Sequence, residues 1–300
     1  MQFVVDGLLS GSMIGLGAIG VTLTYSILQF SNFAHGDLMS WGTYATLIVV
    51  NAILQIMGPV GPLGPLSFGW PLLLAMILGM GLTGLLALAI DYVLFARLRQ
   101  KSEMTIMVMA SFGASMALRS FLEFLFTGQP TYFSHAIQIA TPVGLGIRIT
   151  PDQAVLLTMT AILLLAVHLM ITRTQTGRSM RAVSQNAALA RVVGIDVKRV
   201  IRVTWLVGGA LACFSGIMIG VLLQIRPTMG LDLTLPMFAA AILGGIGSIP
   251  GAVIGGLIIG LTEALAVEQI GAEWRIAVSF VILIAVLFIR PTGLFGVQER

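Results

Sequence analysis

The sequence predicts an all-α fold, a polytopic integral membrane bundle of about eight to nine hydrophobic segments, some of them broken. Three observations predict this class. Of the 300 residues, 57% are hydrophobic and 9% are charged, and the mean hydropathy is +1.01. Several apolar runs have the roughly 20 residues that cross a bilayer as a helix. Lys and Arg gather between these runs, so residues 1–300 are predicted to form a single transmembrane domain.

A basic run between two apolar blocks is the most polar stretch of the chain. Residues 173–202 hold seven of the 16 basic residues and one acid, Asp196. Because Lys and Arg beside membrane spans stay in the cytoplasm, this run predicts a cytoplasmic loop. Ser184 or Asn186 can cap a short helix that Gly194 can close, so we expect a helix on the cytoplasmic surface. A solvated basic loop that only fixes topology is the alternative.

Composition argues against several other classes of function. The net charge of +4 comes from clusters in cytoplasmic-type loops, so it reflects topology and predicts no nucleic-acid partner. The single cysteine, Cys213, excludes an intrachain disulfide. The histidines His35, His135 and His168 lie far apart, so no metal site is predicted. A membrane enzyme needs convergent nucleophile, base or metal ligands, which these dispersed residues do not supply.

The first apolar segment, residues 7–30, is interrupted just before the second begins. The polar residues 31–37 join it directly to the apolar run 38–56, which leaves little room for an ordinary loop. Either the chain turns sharply at the membrane surface, or the helix breaks inside the membrane beside protein or a water-filled cavity. Asp37 and Ser31 are suitable N-caps for the helix that follows.

Two stripes of small residues at helical spacing predict close helix packing, because they let a neighbouring backbone approach. The first stripe lies in the first apolar segment and the second in the segment 251–266. They are Gly7, Gly11 and Gly15, and Gly251, Gly255, Gly256 and Gly260.

The next loop and span carry a second orientation signal. Residues 58–71 are rich in Gly and Pro and uncharged, so they form a loop, which by alternation is external. The following span, residues 71–96, ends in a basic cluster and therefore on the cytoplasmic side. That cluster is Arg97, Arg99 and Lys101.

A span with two charges follows. Residues 104–126 contain Arg119 and Glu123, which are four apart, face the same side of a helix and can pair. Such a pair either snorkels near the external end or lines a pathway. Residues 127–151 are polar and aromatic and predict the largest external loop, the best surface for a soluble external partner. Pro151 and Asp152 then start a helix that returns to the cytoplasm.

After the basic run, the chain crosses outward over residues 203–223. Gln224, Arg226 and Asp232 mark the external end. They could contact a substrate there, but we expect capping and interfacial roles. Residues 236–250 are apolar, but they are too short and too rich in glycine for a regular span.

The last segments place the C-terminus. Residues 251–266 and 276–289 are apolar and the polar residues 268–275 between them are predicted to be external. Arg290 and Arg300 therefore place the C-terminus in the cytoplasm, and the alternation favours an external N-terminus.

The two broken segments predict a translocation path. Paired interruptions point to a transporter's midplane site, because unwound backbone and half-helix ends can meet a polar solute there. On this hypothesis, Gly245→Leu blocks flux while assembly survives. The residues predicted to line the path are Asn32, Phe33, Ala34, His35, Gly36, Asp37, Gly244, Gly245, Gly247 and Ser248.

The sequence carries no motor of its own. It has no GxxxxGK[ST] motif for a nucleotide, and the main charges within its apolar segments, Asp91, Arg119 and Glu123, are few for a proton or sodium relay. Energy for active transport must therefore enter from a partner or an ion gradient. The structured cytoplasmic loop suits docking of a separate motor protein.

Four motifs occur along nearly the whole chain: residues 32–36 (NFAHG), 185–195 (QNAALARVVGI), 241–256 (AILGGIGSIPGAVIGG) and 290–296 (RPTGLFG). Together, and in this order, they resemble the LivH-type permease subunit of the branched-chain amino-acid ABC importer family. The resemblance implies a fold of the ABC importer permease type in a bacterial inner membrane.

The resemblance also implies partners. They are a homologous second permease, two cytoplasmic ABC ATPases that bind ATP and Mg, and a periplasmic substrate-binding protein, with no cofactor on this chain. Asn186 stands where the common permease pattern has Glu, and Gly194 is displaced from its usual position. The implied ATPase-coupling residues are Gln185, Asn186, Ala187, Ala188, Arg191, Gly194 and Ile195.

The function implied is a transport subunit rather than an enzyme. It forms half of the pathway of an ATP-driven importer for leucine, isoleucine and valine. Related permeases serve urea, short amides or aromatic acids, and these substrates are the alternative within the class. An ion-coupled secondary carrier would work without ATPases, but the scarcity of buried acids argues against it.

Overall fold

The computed structural model describes residues 2–58, 60–99, 103–134, 138–144, 147–290 and 292–296. Within these ranges, eight helices are long and apolar enough to cross a membrane, which confirms the predicted fold class. Three residues named above, Lys101, His135 and Arg300, lie outside the described ranges, as does Pro291 of the motif 290–296.

Helices account for most of the described chain. A π-helical turn, Asp91–Phe95, joins α3 to α4, and a 3-10 turn, Ala272–Trp274, precedes α12. In chain order the helices are α1 (Gln2–Leu28), α2 (Ala34–Met57), α3 (Trp70–Ile90), α4 (Ala96–Leu98), α5 (Met104–Phe126), α6 (Pro151–Arg173), α7 (Gln175–Gln185), α8 (Ala187–Val192), α9 (Val197–Leu222), α10 (Met229–Gly244), α11 (Ile249–Ile270) and α12 (Arg275–Ile289).

The core lies around α1 and α9. Most residues of these two helices are buried, whereas Ser279 is the buried residue of α12. Helix α2 joins this core, where Thr46 contacts the buried Cys213 at 3.7 Å. The rings of Phe95 and Trp205 stack with centroids 5.4 Å apart and close the core near the end of α3. The outer faces of α5, α6 and α12 are apolar and exposed, as expected for helices that meet lipid.

Helices α1 and α11 pack through glycines of both predicted stripes, whereas Gly251 and Gly255 of the second stripe face α10. A methyl group added at Gly11 would come within 2.8 Å of the Leu257 Cα, and one added at Gly7 would come equally close to the Leu261 Cα. From the other side, a methyl group at Gly260 would collide with the Gly11 backbone. Only glycine permits this approach, so the prediction of close packing is confirmed.

The short apolar segment is helix α10, which begins at Met229, earlier than predicted, and contains Pro236. It ends at Gly244, where its last carbonyl groups need partners. Leu294 N–H donates to the Leu243 carbonyl at 2.8 Å, and Phe295 N–H donates to the Gly244 carbonyl at 3.1 Å. The C-terminal motif therefore caps α10.

The molecule has two distinct ends. At the hairpin end, strands β1 (Thr141–Gly144) and β2 (Ile147–Ile149) pair antiparallel, with Thr141 opposite Ile149. Gln2, at the start of α1, exchanges hydrogen bonds with the Arg148 backbone there, at 3.1 and 3.0 Å. The opposite end, the basic end, holds α7, α8 and the start of α9. The hairpin lies within the predicted external loop, which the sequence did not show to be folded.

Two predicted helix starts have different outcomes. Helix α6 begins at Pro151 as predicted, with Thr150 forming a capping box with Gln153. The prediction that Ser31 or Asp37 caps α2 is wrong, because α2 already begins at Ala34 and has no side-chain cap at its N-cap position. Asp37 lies inside its first turn and is used for another contact.

Candidate translocation and coupling sites

The first broken segment turns back into the bundle. Helix α1 ends at Leu28, Gln29 has φ +60°, and the chain then runs inward to start α2. Phe33 N–H donates to the Ser111 hydroxyl at 3.2 Å, and Ser111 lies about 10 Å along α5 from its start at the basic end. His35 packs against Gly20, which lies well before the end of α1. The break is therefore internal and is no turn at the surface.

Most of the predicted path residues in this segment are enclosed by the chain itself. Asn32, Ala34, His35 and Asp37 are each at most 1% exposed, and Gly36 is also buried. Within the described chain, the Asn32 Nδ2 and His35 Nε2 atoms are buried without a hydrogen-bond partner. Phe33 is half-buried and packs on Phe238 of α10, with ring centroids 5.0 Å apart.

A buried ion pair locks this segment to α5. The Asp37 carboxylate accepts hydrogen bonds from Arg119 Nε at 3.2 Å and Nη2 at 3.3 Å, and from the Ser115 hydroxyl. We call Asp37, Ser115 and Arg119 the inner triad. The predicted pairing of Arg119 with Glu123 is wrong, because the side chain of Arg119 turns inward to a carboxylate buried on α2. This contact pairs two charges that would each be costly alone in apolar surroundings.

The second broken segment lies nearer the basic end. Gly245 and Gly247 have φ +94° and +95°, which favours glycine. Gly244 packs on Gly251 of α11, and the Ser248 hydroxyl caps α11 by accepting from Gly251 N–H at 3.1 Å. Gly247 is exposed and faces Ser26 near the end of α1. The first break meets α10 upstream of this point, at Phe238 and Gly230.

A cavity of about 810 Å³ opens at the hairpin end between α1, α6, α9, α10, α11 and α12. Gln224, Arg226 and Asp232, which the sequence placed at the external end, line it. The Arg226 Nη2 atom lies 3.9 Å from the Asp232 carboxylate. The other charged residues that line the cavity are Asp6, Glu263, Glu273 and Arg275.

Sequence reasoning missed Glu263, a carboxylate that is 1% exposed within α11. It accepts hydrogen bonds from Arg275 Nε at 2.8 Å and from the Ser279 hydroxyl. We call Glu263, Arg275 and Ser279 the outer triad. An acid inside an apolar, glycine-rich segment was the signal that could have found it, because a charge there needs a partner.

At the basic end, Asn186 forms one of the two helix caps that the sequence predicts. The Asn186 side chain accepts from Leu189 N–H at 2.9 Å and starts α8, and Gly194, with φ +88°, closes it. Ile195 N–H donates to the Ala190 carbonyl at 2.9 Å, as in a Schellman-type ending. The expected short helix is therefore confirmed.

The predicted coupling residues form an open surface on α8. Gln185, Asn186, Ala188, Arg191 and Gly194 are exposed, and Ala187 and Ile195 are partly buried. Three apolar neighbours are also exposed, Leu189 at 61%, Val192 at 84% and Val193 at 73%. Exposed apolar residues beside a basic rim are typical of a protein interface.

The fold and these sites define a class of protein, the multi-pass helical membrane permease. Its discontinuous segments enclose polar groups within the bundle, and a structured helix stands at one end. The solved structure of PsaBC from Streptococcus pneumoniae in complex with Fab shares the fold with a TM-score of 0.50 and 14% identity, covering 98% of this chain and 94% of that chain. This likeness shows the fold alone.

Comparison with known sequences shows the particular family. The family model described as branched-chain amino acid transport system / permease component matches residues 3–287. The chain belongs to this family. It is 33% identical over 310 residues to the high-affinity branched-chain amino acid transport system permease protein LivH of Escherichia coli K12, covering 100% of this chain and 96% of that protein. It is 31% identical to BraD of Pseudomonas aeruginosa, with the same coverage.

Proposed function

We propose that this chain is the permease subunit of an ATP-driven ABC importer for leucine, isoleucine and valine, and that it forms half of the translocation pathway. The observation that carries the proposal is the full-length similarity to permeases named for branched-chain amino acids. The chain is a transport subunit, and ATP and Mg bind to partner ATPases.

The proposed assembly has a homologous second permease, two cytoplasmic ABC ATPases and a periplasmic substrate-binding protein. Helix α8 supports the ATPase contact, because its exposed Leu189, Val192 and Val193 offer an apolar surface to a soluble partner. Arg191 on the same helix adds charge at the rim of this surface. In this proposal α8 sits in a cleft of one ATPase.

The proposed orientation in the bacterial inner membrane follows from charge. Arg97, Arg99, Arg290 and the basic residues of 173–202 belong to the basic end, whereas Arg148, Arg226 and Arg275 belong to the hairpin end. Because positive loops stay in the cytoplasm, the basic end and the C-terminus are cytoplasmic. The hairpin end, with the start of α1, then faces the periplasm.

The proposed pathway runs beside the two broken segments, residues 32–37 and 244–248. The unpartnered Asn32 and His35 atoms support this, because a buried polar group without a partner is a candidate contact for a polar solute. Gly245→Leu does not test the path cleanly, because Gly245 has φ +94° and a side chain there would press on Gly296. Labelling of Phe33→Cys during turnover is the better probe, since Phe33 is only half-buried.

Uptake of labelled leucine tests the proposed function. Proteoliposomes would hold this chain with the second permease, the ATPases and the binding protein encoded beside it, with ATP supplied or withheld. We expect ATP-dependent leucine uptake that isoleucine and valine inhibit and that urea and phenylalanine do not. Uptake of urea or an aromatic acid instead would contradict the proposed substrate. Uptake without ATP would contradict the proposed ATP-driven mechanism.

Adding negative charges to α8 tests whether its exposed apolar residues contact the ATPase. We expect Leu189→Glu together with Val192→Glu to abolish uptake and release the ATPases on affinity purification, because two charges replace the apolar contact. The fold should survive, since both side chains are exposed. Leu189→Met is the matched control and should keep the ATPases bound. If the double variant retained the ATPases, α8 would not be part of the interface.

A further inference from the structure

The cavity at the hairpin end has the size of a ligand site. Its volume of about 810 Å³ falls in the range of small-molecule pockets, roughly 300 to 1,000 Å³. Six segments that are distant in sequence meet around it: the starts of α1, α6, α10 and α12 and the ends of α9 and α11. A pocket built from so many helices changes shape when they shift.

The floor of the cavity is apolar. Along α1 the lining runs from Asp6 through Leu9 to Met13, which lies about 10 Å deeper along the helix. Leu9 and Met13 are 4% and 6% exposed, and Met229 and Leu233 of α10 are 4% and 7% exposed. An aliphatic group bound on this floor would be transferred from water to an apolar surface, which is favourable.

The rim of the cavity carries unused charges of both signs. Arg275 bonds Glu263 through Nε and donates no other hydrogen bond within the described residues, so its terminal nitrogens are free. Arg226 is 3.9 Å from Asp232, too far for a hydrogen bond. Asp6 accepts only a 3.4 Å contact from Gln2, and Glu273 makes no ion pair within the described chain.

We propose that this cavity binds the transported molecule as a zwitterionic amino acid with an aliphatic side chain, an inference that rests on the proposed function. The arginines, Arg275 and Arg226, receive the carboxylate, since guanidinium groups bind carboxylates in two-pronged geometry. Asp6 or Glu273 receives the ammonium group, and the apolar floor receives the side chain. Urea or a short amide lacks the two charges and would therefore bind only weakly to the charged residues of the rim. Glu263 is a positioning residue, because it holds Arg275 and is itself buried.

The experiment uses the assembled importer in proteoliposomes, with leucine as the probe and uptake expressed per assembled complex. Arg226→Gln and the double variant Asp6→Asn with Glu273→Gln each lower leucine uptake about tenfold, the effect of losing one charge-assisted hydrogen bond. Arg148→Gln is the matched control, because Arg148 is exposed at the same end but does not line the cavity. Full uptake by both cavity variants would overturn the proposal.

A labelling measurement separates binding from transport. The one native cysteine, Cys213, is buried, so Ser10→Cys places a single reactive thiol in the cavity. Saturating leucine causes loss of maleimide labelling at this position but not at Thr141→Cys in the exposed hairpin. Unchanged labelling of Ser10→Cys would overturn the site. Failure of the unmodified importer to take up leucine would instead overturn the proposed function, so the two failures are distinguishable.

Discussion

The inner and outer triads have the same chemical composition and different surroundings. Each has a buried carboxylate on one helix, and a serine and an arginine spaced four residues apart on another. The inner triad uses Ser115 and Arg119 of α5 around Asp37, and the outer triad uses Arg275 and Ser279 of α12 around Glu263. The spacing brings both groups to one face of a helix, where they reach the same carboxylate.

The difference lies in how each arginine is used. The Arg119 side chain is 18% exposed and donates twice to Asp37 and once to Ser115. The Arg275 side chain is 36% exposed and donates only through Nε within the described chain. The first arginine is a closed crosslink between α2 and α5, and the second is anchored but open to the cavity. The inner triad therefore holds two helices together, whereas the outer triad is suited to bind a ligand.

The largest expected effect is from Arg119→Ala. It leaves the Asp37 carboxylate, 2% exposed, without its counter-ion, which destabilises the fold by about 3–5 kcal/mol. The measurement is the free energy of unfolding in mixed micelles with SDS, followed by circular dichroism. Glu123→Ala is the matched control, because Glu123 is exposed and makes no ion pair within the described residues.

A double variant sharpens this prediction. Asp37→Leu combined with Arg119→Leu removes both charges and should recover most of the lost stability, because no buried charge is left unpaired. If the double variant were as unstable as Arg119→Ala, the inner triad would act through packing and not through charge.

A smaller effect is expected from Arg275→Ala. Glu263 keeps the Ser279 hydroxyl, and water in the cavity can solvate it, so the loss in unfolding free energy should be about 1–3 kcal/mol. The same detergent measurement compares it with Arg119→Ala. Equal losses for the two variants would mean that the outer triad is as closed as the inner one.

The smallest effects separate the two serines. Ser115→Ala should lower the unfolding free energy by about 2 kcal/mol and Ser279→Ala by about 1 kcal/mol, because the Ser115 hydroxyl donates to Asp37 and accepts from Arg119, whereas within the described residues the Ser279 hydroxyl only donates to Glu263. Both changes remove a single oxygen. A larger loss for Ser279→Ala would reverse the comparison.

Local patterns in the sequence predicted much of the fold. The glycine stripes of α1 and α11, the Asn186 cap and the closing Gly194 were all readable, because each depends on residues a few positions apart. The interruption at residues 31–37 is also evident in the sequence, but the residues do not decide whether it lies at the surface or inside the bundle. The structure places it inside, where Phe33 reaches Ser111.

The sequence did not predict contacts between residues that are far apart along the chain. Helical spacing predicts that Arg119 pairs with Glu123, whereas its partner in the structure is Asp37, which is 82 positions away. The outer triad was missed for a similar reason, since Glu263 and Arg275 belong to different helices. The hairpin and the capping of α10 by residues 294 and 295 also needed the folded chain.

The sequence by itself determined that lipid is the main solvent, that the chain crosses the membrane many times and that the basic run holds a capped helix. These features follow from hydropathy and short-range hydrogen bonding, which act along the chain. Only the tertiary structure decided which carboxylate each arginine meets and which triad is left open. A buried charge takes the partner that packing brings within hydrogen-bond distance, and helix packing is set by surfaces that are distant in sequence.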